Sequence, residues 1–290
     1  NGEKQNVILM IGDGMGFNHI KAAQAAYGDL FITTAEKAAE GEVTTYSLNA
    51  LPTDSAAAAT ALATGNKTRN GQIGQLNGEA FESTSERALS LKMAAGVVAT
   101  EGVDGATPAG FSAHTSNRDK IDEIFADQLA SGIDLFFGSN IEYYAPLKEE
   151  ITKNYAFIDD MNDLNLSQPK IFASFEEIPL NNGGSKKPTL AELGVKAIEK
   201  LSANPNGFFL MIEESHIDKF SHDNELLNAL EHLKAFDNAV KAVVEKAAEI
   251  GNTVVIVTAD HETGGLEYNG ETKEQLSDKM YTRTRHSDAN

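Results

Sequence analysis

The chain has 290 residues, of which 41% are hydrophobic, with no cysteine and a formal net charge of −19. This length and core content, without a low-complexity linker or an internal repeat, predict a single domain over residues 1–290. The absence of cysteine excludes disulfides and thiolate metal sites. The negative charge disfavours a nucleic-acid partner because phosphates would be repelled. The sequence contains no apolar run long enough to cross a membrane.

Strand-like and helix-like segments alternate along the chain. Strands are predicted at 7–11, 43–47, 96–100, 135–137, 208–212 and 253–257. Helices are predicted at 18–27, 55–63, 86–95, 121–130, 189–201 and 226–250, and the stretch 150–187 is predicted to be irregular. The alternation predicts an α/β fold, in which a mostly parallel central sheet is sandwiched between helices on both faces.

The first predicted strand ends in an acid between glycines, Gly12-Asp13-Gly14. Glycines let the backbone approach a ligand closely. The spacing is not that of the Gly-x-Gly-x-x-Gly dinucleotide motif, and the Asp13 carboxylate would repel a pyrophosphate but hold a cation. The alternative is an ordinary turn that caps the following helix.

Two further predicted strands also end in acids. The last strand leads to Asp260 and His261, and the strand 208–212 leads to Glu213. Ligands bind at the carboxyl ends of the strands in open α/β sheets, and carboxylate and imidazole are zinc ligands. Asp218 and His222 would share one face of a helix, either as metal ligands or as a solvated pair. Three such strand ends in one chain favour a metal site.

Hydroxyl and guanidinium groups complete the candidate site. Ser55 opens an Ala-rich predicted helix, where backbone amides attract anions, and is either a helix cap or a nucleophile beside a zinc ion. Thr107 follows the strand 96–100 and presents a hydroxyl. Arg118 is either a surface charge or a fork for two phosphate oxygens.

With these motifs the chain strongly resembles the alkaline phosphatase family, and most closely its compact bacterial members. The motifs are Asp13-Gly14-Met15-Gly16, Asp54-Ser55-Ala56, Ala106-Thr107-Pro108-Ala109, Glu213 with Asp218 and His222, and Ala259-Asp260-His261-Glu262-Thr263-Gly264-Gly265. They follow the family's order from residue 6 to residue 286, nearly the whole chain.

The resemblance implies two zinc ions and one magnesium ion. The implied ligands are Asp218, His222 and His286 for one zinc; Asp13, Asp260 and His261, with Ser55 facing it, for the other; and Asp13, Thr107 and Glu213 for the magnesium.

The resemblance also implies an activity, namely hydrolysis of small phosphate monoesters to an alcohol and inorganic phosphate at alkaline pH. Ser55 would form a phosphoserine, and Arg118 would clamp the phosphate. Lys219 either touches phosphate through water or is solvated. A homodimer and a periplasmic or secreted location follow from the family alone, since no signal peptide is visible in this chain.

The sequence departs from the family pattern at three places. Gly105 stands where members commonly carry Asp or His, so a group that tunes the magnesium site is missing or supplied differently. His216 matches no ligand position and is expected to lie near the site and to contact the metal ligands rather than a metal ion. Relatives continue beyond His286 with a further apolar strand, so the chain is expected to be truncated, with His286 poorly anchored and its zinc weakly bound.

Other functions remain as alternatives. A phosphodiesterase of the same superfamily usually presents threonine as nucleophile. A sulfatase needs a Ser/Cys-x-Pro-x-Arg context that Asp54-Ser55-Ala56 lacks, and a phosphoglycerate mutase needs additional domain sequence. A non-catalytic metal- or phosphate-binding fragment is the alternative from another class.

Overall fold

A computed structural model describes residues 5–36 and 38–288. The strands are β1 Asn6–Gly12, β2 Gln75–Leu76, β3 Glu79–Ala80, β4 Ala94–Ala99, β5 Leu135–Gly138, β6 Ala156–Ile158, β7 Ile171–Ser174, β8 Phe208–Glu214, β9 Thr253–Thr258, β10 Glu262–Thr263 and β11 His286–Ser287. The α-helices are α1 Phe17–Tyr27, α2 Phe31–Thr34, α3 Ser55–Thr64, α4 Thr84–Ser90, α5 Ala106–Gly110, α6 Ile121–Ala130, α7 Ile141–Tyr144, α8 Lys148–Ile151, α9 Leu190–Leu201, α10 His216–His222 and α11 Leu226–Ile250.

Seven of these strands form a parallel sheet in the order β6-β7-β5-β4-β8-β1-β9. β1 lies between β8 and β9, and Ile11 is in register with both Glu213 and Thr258. The three strands therefore end at the same level. The backbone amide of Asp13 extends the pairing by donating to the carbonyl of Glu214 at 2.9 Å.

Helices cover both faces of the sheet because side chains alternate between the faces along each strand. Ile8 and Met10 of β1 belong to a core packed under α1, α9 and α11. Leu9 and Ile11 belong to a second core under α3, α4 and α6. Each fully buried aliphatic side chain of this kind contributes about 1.5–3 kcal/mol. The predicted α/β sandwich is confirmed, whereas the single-domain organisation stays a prediction.

The prediction of a strand at 43–47 is wrong. These residues have no regular secondary structure, and none of them pairs with another strand in the described part of the chain. Val43 and Tyr46 are exposed. Ser47 is the only buried residue of the five, so the stretch packs no apolar face on a core. β propensity reflects packing on such a face more than the backbone itself.

The helix predicted at 86–95 corresponds to α4, Thr84–Ser90, which begins two residues earlier and is shorter. Ser83 caps α4 through the amide of Glu86, and the Glu86 carboxylate accepts from the Ser83 amide in return. The helix ends at Ser90, and Lys92 adopts φ of 60°, a left-handed conformation that turns the chain into β4. A left-handed residue cannot continue an α-helix.

The stretch 150–187, predicted to be irregular, contains β6 and β7 at the edge of the sheet. These strands have three and four residues. β7 is buried throughout, so it carries no alternation of polar and apolar residues that would mark it as a strand.

Within the described residues, every helix falls short of the length or the hydrophobicity that a membrane crossing requires.

Candidate active site

Three acids meet where β1, β8 and β9 end. Asp13 follows β1, Glu213 is the second-to-last residue of β8, and Asp260 follows β9. All three are buried. The amide of Gly14 donates to Oδ1 of Asp260 at 3.1 Å and joins two of the loops. Gly14 has φ of 74°, and a Cβ there would lie 2.8 Å from the Cα of Asp218, so only glycine allows this approach.

The oxygens at this edge are short of partners. Oδ1 of Asp13, Oγ1 of Thr107 and Oδ2 of Asp260 are buried and make no hydrogen bond to any described residue. Leaving a buried polar group unsatisfied costs roughly 1–3 kcal/mol. Such oxygens are the ligands that Mg²⁺ and Zn²⁺ take in proteins. The residues present therefore fit the cations that the resemblance implies.

Burial and mutual repulsion raise the pKa values of these acids. The pKa of Asp13 lies well above its usual range because of burial and because of the nearby charges of Asp260, Asp218 and Glu213. Burial likewise raises the pKa of Glu213, and the nearby charges of Glu101, Asp260 and Glu214 add to the shift. Each acid would stay ionised more readily if a cation lay between them.

His261 faces the same point as the acids. Its Nε2 lies 3.2 Å from Oδ2 of Asp260, 3.6 Å from Oδ1 of Asp13 and 3.2 Å from Oγ of Ser55. Burial, together with the neighbouring His286, lowers the pKa of His261 to about 3, so the imidazole is neutral. A neutral imidazole nitrogen is a metal ligand.

A second group combines Asp218 with two histidines. Oδ1 of Asp218 lies 3.4 Å from Nε2 of His222 and 3.6 Å from Nε2 of His286. Nδ1 of His222 contacts the carbonyl of Thr284 at 2.7 Å, and Nδ1 of His286 contacts that of Thr53 at 3.0 Å. Donation from Nδ1 to a carbonyl leaves both Nε2 lone pairs facing Asp218, as is usual for metal-binding histidines.

The expectation that His286 is poorly anchored is wrong. β11, which contains His286, pairs antiparallel with β10, so a two-stranded ribbon holds its backbone. The Ser287 hydroxyl donates to the Glu262 carboxylate. The His286 ring also stacks on His261 with centroids 3.7 Å apart. Weak zinc binding at this position stays a prediction.

Ser55 is not the helix cap. Asp54 caps α3, and its Oδ1 accepts from the amide of Ala57 at 2.9 Å. The Ser55 hydroxyl is buried and is left to face His261 at the positive end of the helix dipole. The structure therefore removes the capping role that the sequence left open.

The two candidate cations differ in their surroundings. Nη1 of Arg118 lies 3.4 Å from Oδ2 of Asp54, and the side chain is 37% exposed. The positive charge of Arg118 lowers the pKa of Asp13, so this charge influences the candidate metal ligands. Lys219 is paired with Glu101 and is 53% exposed. Arg118 therefore lies beside Asp54, the residue before Ser55, and Lys219 is an exposed ion-paired side chain.

Asp104, beside the unusual Gly105, is engaged elsewhere. The Tyr144 hydroxyl donates to the Asp104 carboxylate. Gly105 itself is the N-cap of α5, the helix that carries Thr107. The group that the family resembled by this chain commonly places at this position is therefore not supplied by Asp104.

Sequence reasoning assigned no role to Thr263, although the residue lies in one of the motifs. Its hydroxyl donates to Oδ1 of Asp218 and lies 3.3 Å from Nδ1 of His261. It thus links the two groups of candidate ligands. Its place in the motif beside His261 was the available signal.

Comparisons with known proteins identify the family. A family model described as alkaline phosphatase matches residues 4–142 and 148–288. The chain is 36% identical to alkaline phosphatase 4 and 34% identical to alkaline phosphatase 3 of Bacillus subtilis, in each case over 91% of this chain and 62% of the relative. It thus spans less than two thirds of the length of these two proteins.

A solved structure agrees with the sequence matches. The alkaline phosphatase of the Antarctic bacterium TAB5 superposes with a TM-score of 0.84 at 32% identity, over 100% of this chain and 90% of that one. A variant of that protein is solved with magnesium bound. From the family match, the identities and the shared fold, the chain belongs to the alkaline phosphatase family.

Proposed function

We propose that this chain hydrolyses small phosphate monoesters at alkaline pH, with two zinc ions and one magnesium ion, through a phosphoserine on Ser55. The observation that carries the proposal is that Nε2 of His261 lies 3.2 Å from the Ser55 hydroxyl, 3.6 Å from Oδ1 of Asp13 and 3.2 Å from Oδ2 of Asp260. These two carboxylate oxygens are buried and make no hydrogen bond to any described residue. Membership of the alkaline phosphatase family supports it.

The cations are assigned to three groups of side chains. One zinc is assigned to Asp218, His222 and His286, the other to Asp13, Asp260 and His261, and the magnesium to Asp13, Thr107 and Glu213. When bound, the ions would supply the positive charge that stabilises the attacking and leaving oxygens of an in-line displacement.

The side chains of the protein perform two displacements at phosphorus. The Ser55 hydroxyl gives its proton to solvent, its Oγ attacks phosphorus, and the ester P–O bond breaks as the alcohol leaves and takes up a proton. Water then attacks the phosphoserine, the bond between Oγ and phosphorus breaks, and Ser55 regains a proton. Positioning and electrostatics provide most of the catalysis in reactions of this class.

Arg118 and the start of α3 hold the phosphate. The guanidinium offers paired N–H donors for two phosphate oxygens, and Asp54 keeps it beside the helix. Backbone amides of the first turn of α3 add further donors for an anion. The Ser55 hydroxyl lies 3.2 Å from Nε2 of His261, the nitrogen that would bind zinc, so it would face the same ion.

The remaining parts of the proposal rest on family membership. The ligands are small phosphomonoesters and inorganic phosphate, the assembly is a homodimer, and the location is periplasmic or secreted. Nucleic acid is disfavoured as a partner because the chain carries a net charge of −19.

The test is hydrolysis of a chromogenic aryl phosphate at alkaline pH with zinc and magnesium. We expect turnover that a chelator abolishes and that Ser55→Ala lowers by a factor of about a thousand or more. Ser90→Ala is the matched control, since its hydroxyl only donates to the carbonyl of Arg87 at the exposed end of α4.

Three outcomes would contradict the proposal. Full turnover by Ser55→Ala would assign the chemistry to another nucleophile. A preference for a bis-aryl phosphate diester would favour the phosphodiesterase. Bound zinc without any turnover by the unmodified chain would favour a non-catalytic metal-binding protein.

A further inference from the structure

A second group of metal-binding side chains lies on the opposite face of β8 from the candidate active site. Side chains alternate along a strand, so Glu213 faces Thr107 of α5, whereas Glu214 faces His232 of α11. Glu214 is almost completely buried. Two histidines approach its carboxylate, His216 from the start of α10 and His232 from α11. None of these three residues is among the ligands assigned above.

The distances within this group suit one metal ion. Oε1 of Glu214 lies 3.2 Å from Nδ1 of His216 and 3.1 Å from Nδ1 of His232. One ligand atom from each of the three residues lies within 4.8 Å of the others. Two ligands on a tetrahedral zinc with bonds of about 2.0–2.1 Å are separated by roughly 3.3 Å. The carboxylate–imidazole distances are therefore close to those of ligands that share an ion.

Hydrogen bonds alone crowd a single oxygen of Glu214. Besides the two imidazoles, the amide of His216 donates to Oε1 at 2.9 Å, and the Thr100 hydroxyl lies 3.4 Å away. One carboxylate oxygen has only about two lone pairs, yet four groups face it. A cation among the three side chains would replace the two imidazole protons, and each Nδ1 would then offer a lone pair instead.

The surroundings orient the His216 ring and allow an ion to enter. Oε1 of Glu101 lies 3.8 Å from Nε2 of His216. A carboxylate at this nitrogen would hold a proton on Nε2 when a metal ion takes the place of the proton on Nδ1. The side chains of His216 and His232 are 27% and 14% exposed, so the group opens to solvent.

We propose that Glu214, His216 and His232 form an additional binding site for a divalent transition-metal ion, with zinc preferred. Two imidazoles and one carboxylate suit zinc, whereas magnesium and calcium take oxygen ligands. Three protein ligands leave a fourth position for water. The ion would tie the corner between β8 and α10 to α11.

Zinc stoichiometry tests the site without reference to activity. The full chain is stripped with a chelator, reloaded with zinc in excess magnesium, freed of unbound metal and analysed for elements. We expect His232→Gln to hold one zinc fewer per chain than the unmodified protein. Its zinc affinity at this site should fall by more than the roughly 10–100-fold that loss of an outer partner costs.

Two controls accompany the count. His114→Gln removes a histidine whose ring contacts the carbonyl of Phe81, outside all the proposed ligand groups, and should leave the count unchanged. Circular dichroism checks that each variant folds. Equal zinc counts for the unmodified protein and a folded His232→Gln would overturn the proposal.

Anomalous diffraction at the zinc edge gives a test that needs no variant. Crystals of the unmodified chain grown with zinc should show a peak between Glu214, His216 and His232. Glu214→Gln, which keeps the shape of the side chain and removes its charge, should lose that peak. Zinc in the candidate active site with no peak at this position would mean that the group is only a hydrogen-bonded Glu–His cluster.

Discussion

His19 is a completely buried histidine beneath the helix that carries Asp218 and His222. Its Nδ1 accepts from the amide of Gly16 at 3.3 Å, so the ring proton lies on Nε2, 3.0 Å from Oγ of Ser221. The Ser221 hydroxyl donates to the carbonyl one turn earlier in α10. The neutral ring therefore helps to hold α10 in place.

This environment predicts a pH-dependent contribution to stability. Burial lowers the pKa of His19 to about 3, whereas an unfolded histidine has a pKa of about 6.5. The unfolded chain therefore binds the proton more readily, and stability that is complete above pH of about 6.5 is lost as the pH falls towards about 3. At pH of about 5 the loss is roughly 2 kcal/mol.

His19→Gln isolates this contribution from those of other histidines. The free energies of unfolding of variant and unmodified protein are measured by urea titration at pH values of about 7 and 5. The unmodified chain should lose about 2 kcal/mol more than the variant between these values. Parallel pH dependences would show that His19 is not buried as a neutral ring.

At the scale of elements, two short helices hold Ser55 and Thr107 at a distance set by small residues. Gly110 at the end of α5 packs against Ala59 of α3. A Cβ at Gly110 would lie 2.6 Å from the Cβ of Ala59 and 3.0 Å from its carbonyl carbon. Neither contact is relieved by turning a flexible side chain, so the helices would have to separate.

Gly110→Ala is therefore expected to destabilise the protein by about 1–3 kcal/mol, the usual effect of overpacking. Thermal unfolding of the variant is compared with that of Gly41→Ala, because a Cβ at Gly41 meets no atom within 4 Å and its φ is not positive. A Gly110→Ala protein as stable as Gly41→Ala would mean that α3 and α5 are less tightly packed than the structure indicates.

The strand ends that form the site could be predicted because two independent signals coincide there. Apolar β-branched runs mark β1 and β9, and Asp13 and Asp260 follow them directly. The strand β7 could not be predicted because its four buried residues have no periodicity. The roles of His19 and Thr263 depend on contacts with α10, which lies about 200 residues from His19 and 45 residues from Thr263 in the sequence.

For the whole molecule, the cluster of acids at the sheet edge lowers the stability of the metal-free protein. The folded pKa values of Asp13, Glu213 and Asp260 are raised, first by burial. A carboxyl group with a raised folded pKa binds its proton more tightly in the folded state. The free energy of unfolding therefore falls as the pH rises from the unfolded pKa to the folded one, and the deficit is complete above it.

Cations should reverse this deficit, and more so at alkaline pH, because proton competition for the carboxylates and histidines declines there. Each ion adds about 3 kcal/mol at a free concentration of roughly one hundred times its Kd. Urea unfolding with chelator, and with zinc and magnesium, at pH values of about 7 and 9 measures both effects above the range in which His19 titrates. A stability that does not change with chelator would contradict the assigned ligands.

The Asp260→Asn variant distinguishes the charge repulsion between Asp260 and Asp13 from the hydrogen bonds that Asp260 accepts. The amide oxygen can still accept from the amides of Gly14 and His261, as Oδ1 of Asp260 does at 3.1 Å and 2.9 Å. The variant loses a charge that raises the pKa of Asp13. With chelator at alkaline pH, Asp260→Asn should therefore be more stable than the unmodified chain. With zinc and magnesium the order should reverse, because the variant has lost a charged ligand. If the substitution destabilises the protein equally in both conditions, Asp260 serves the fold rather than a cation.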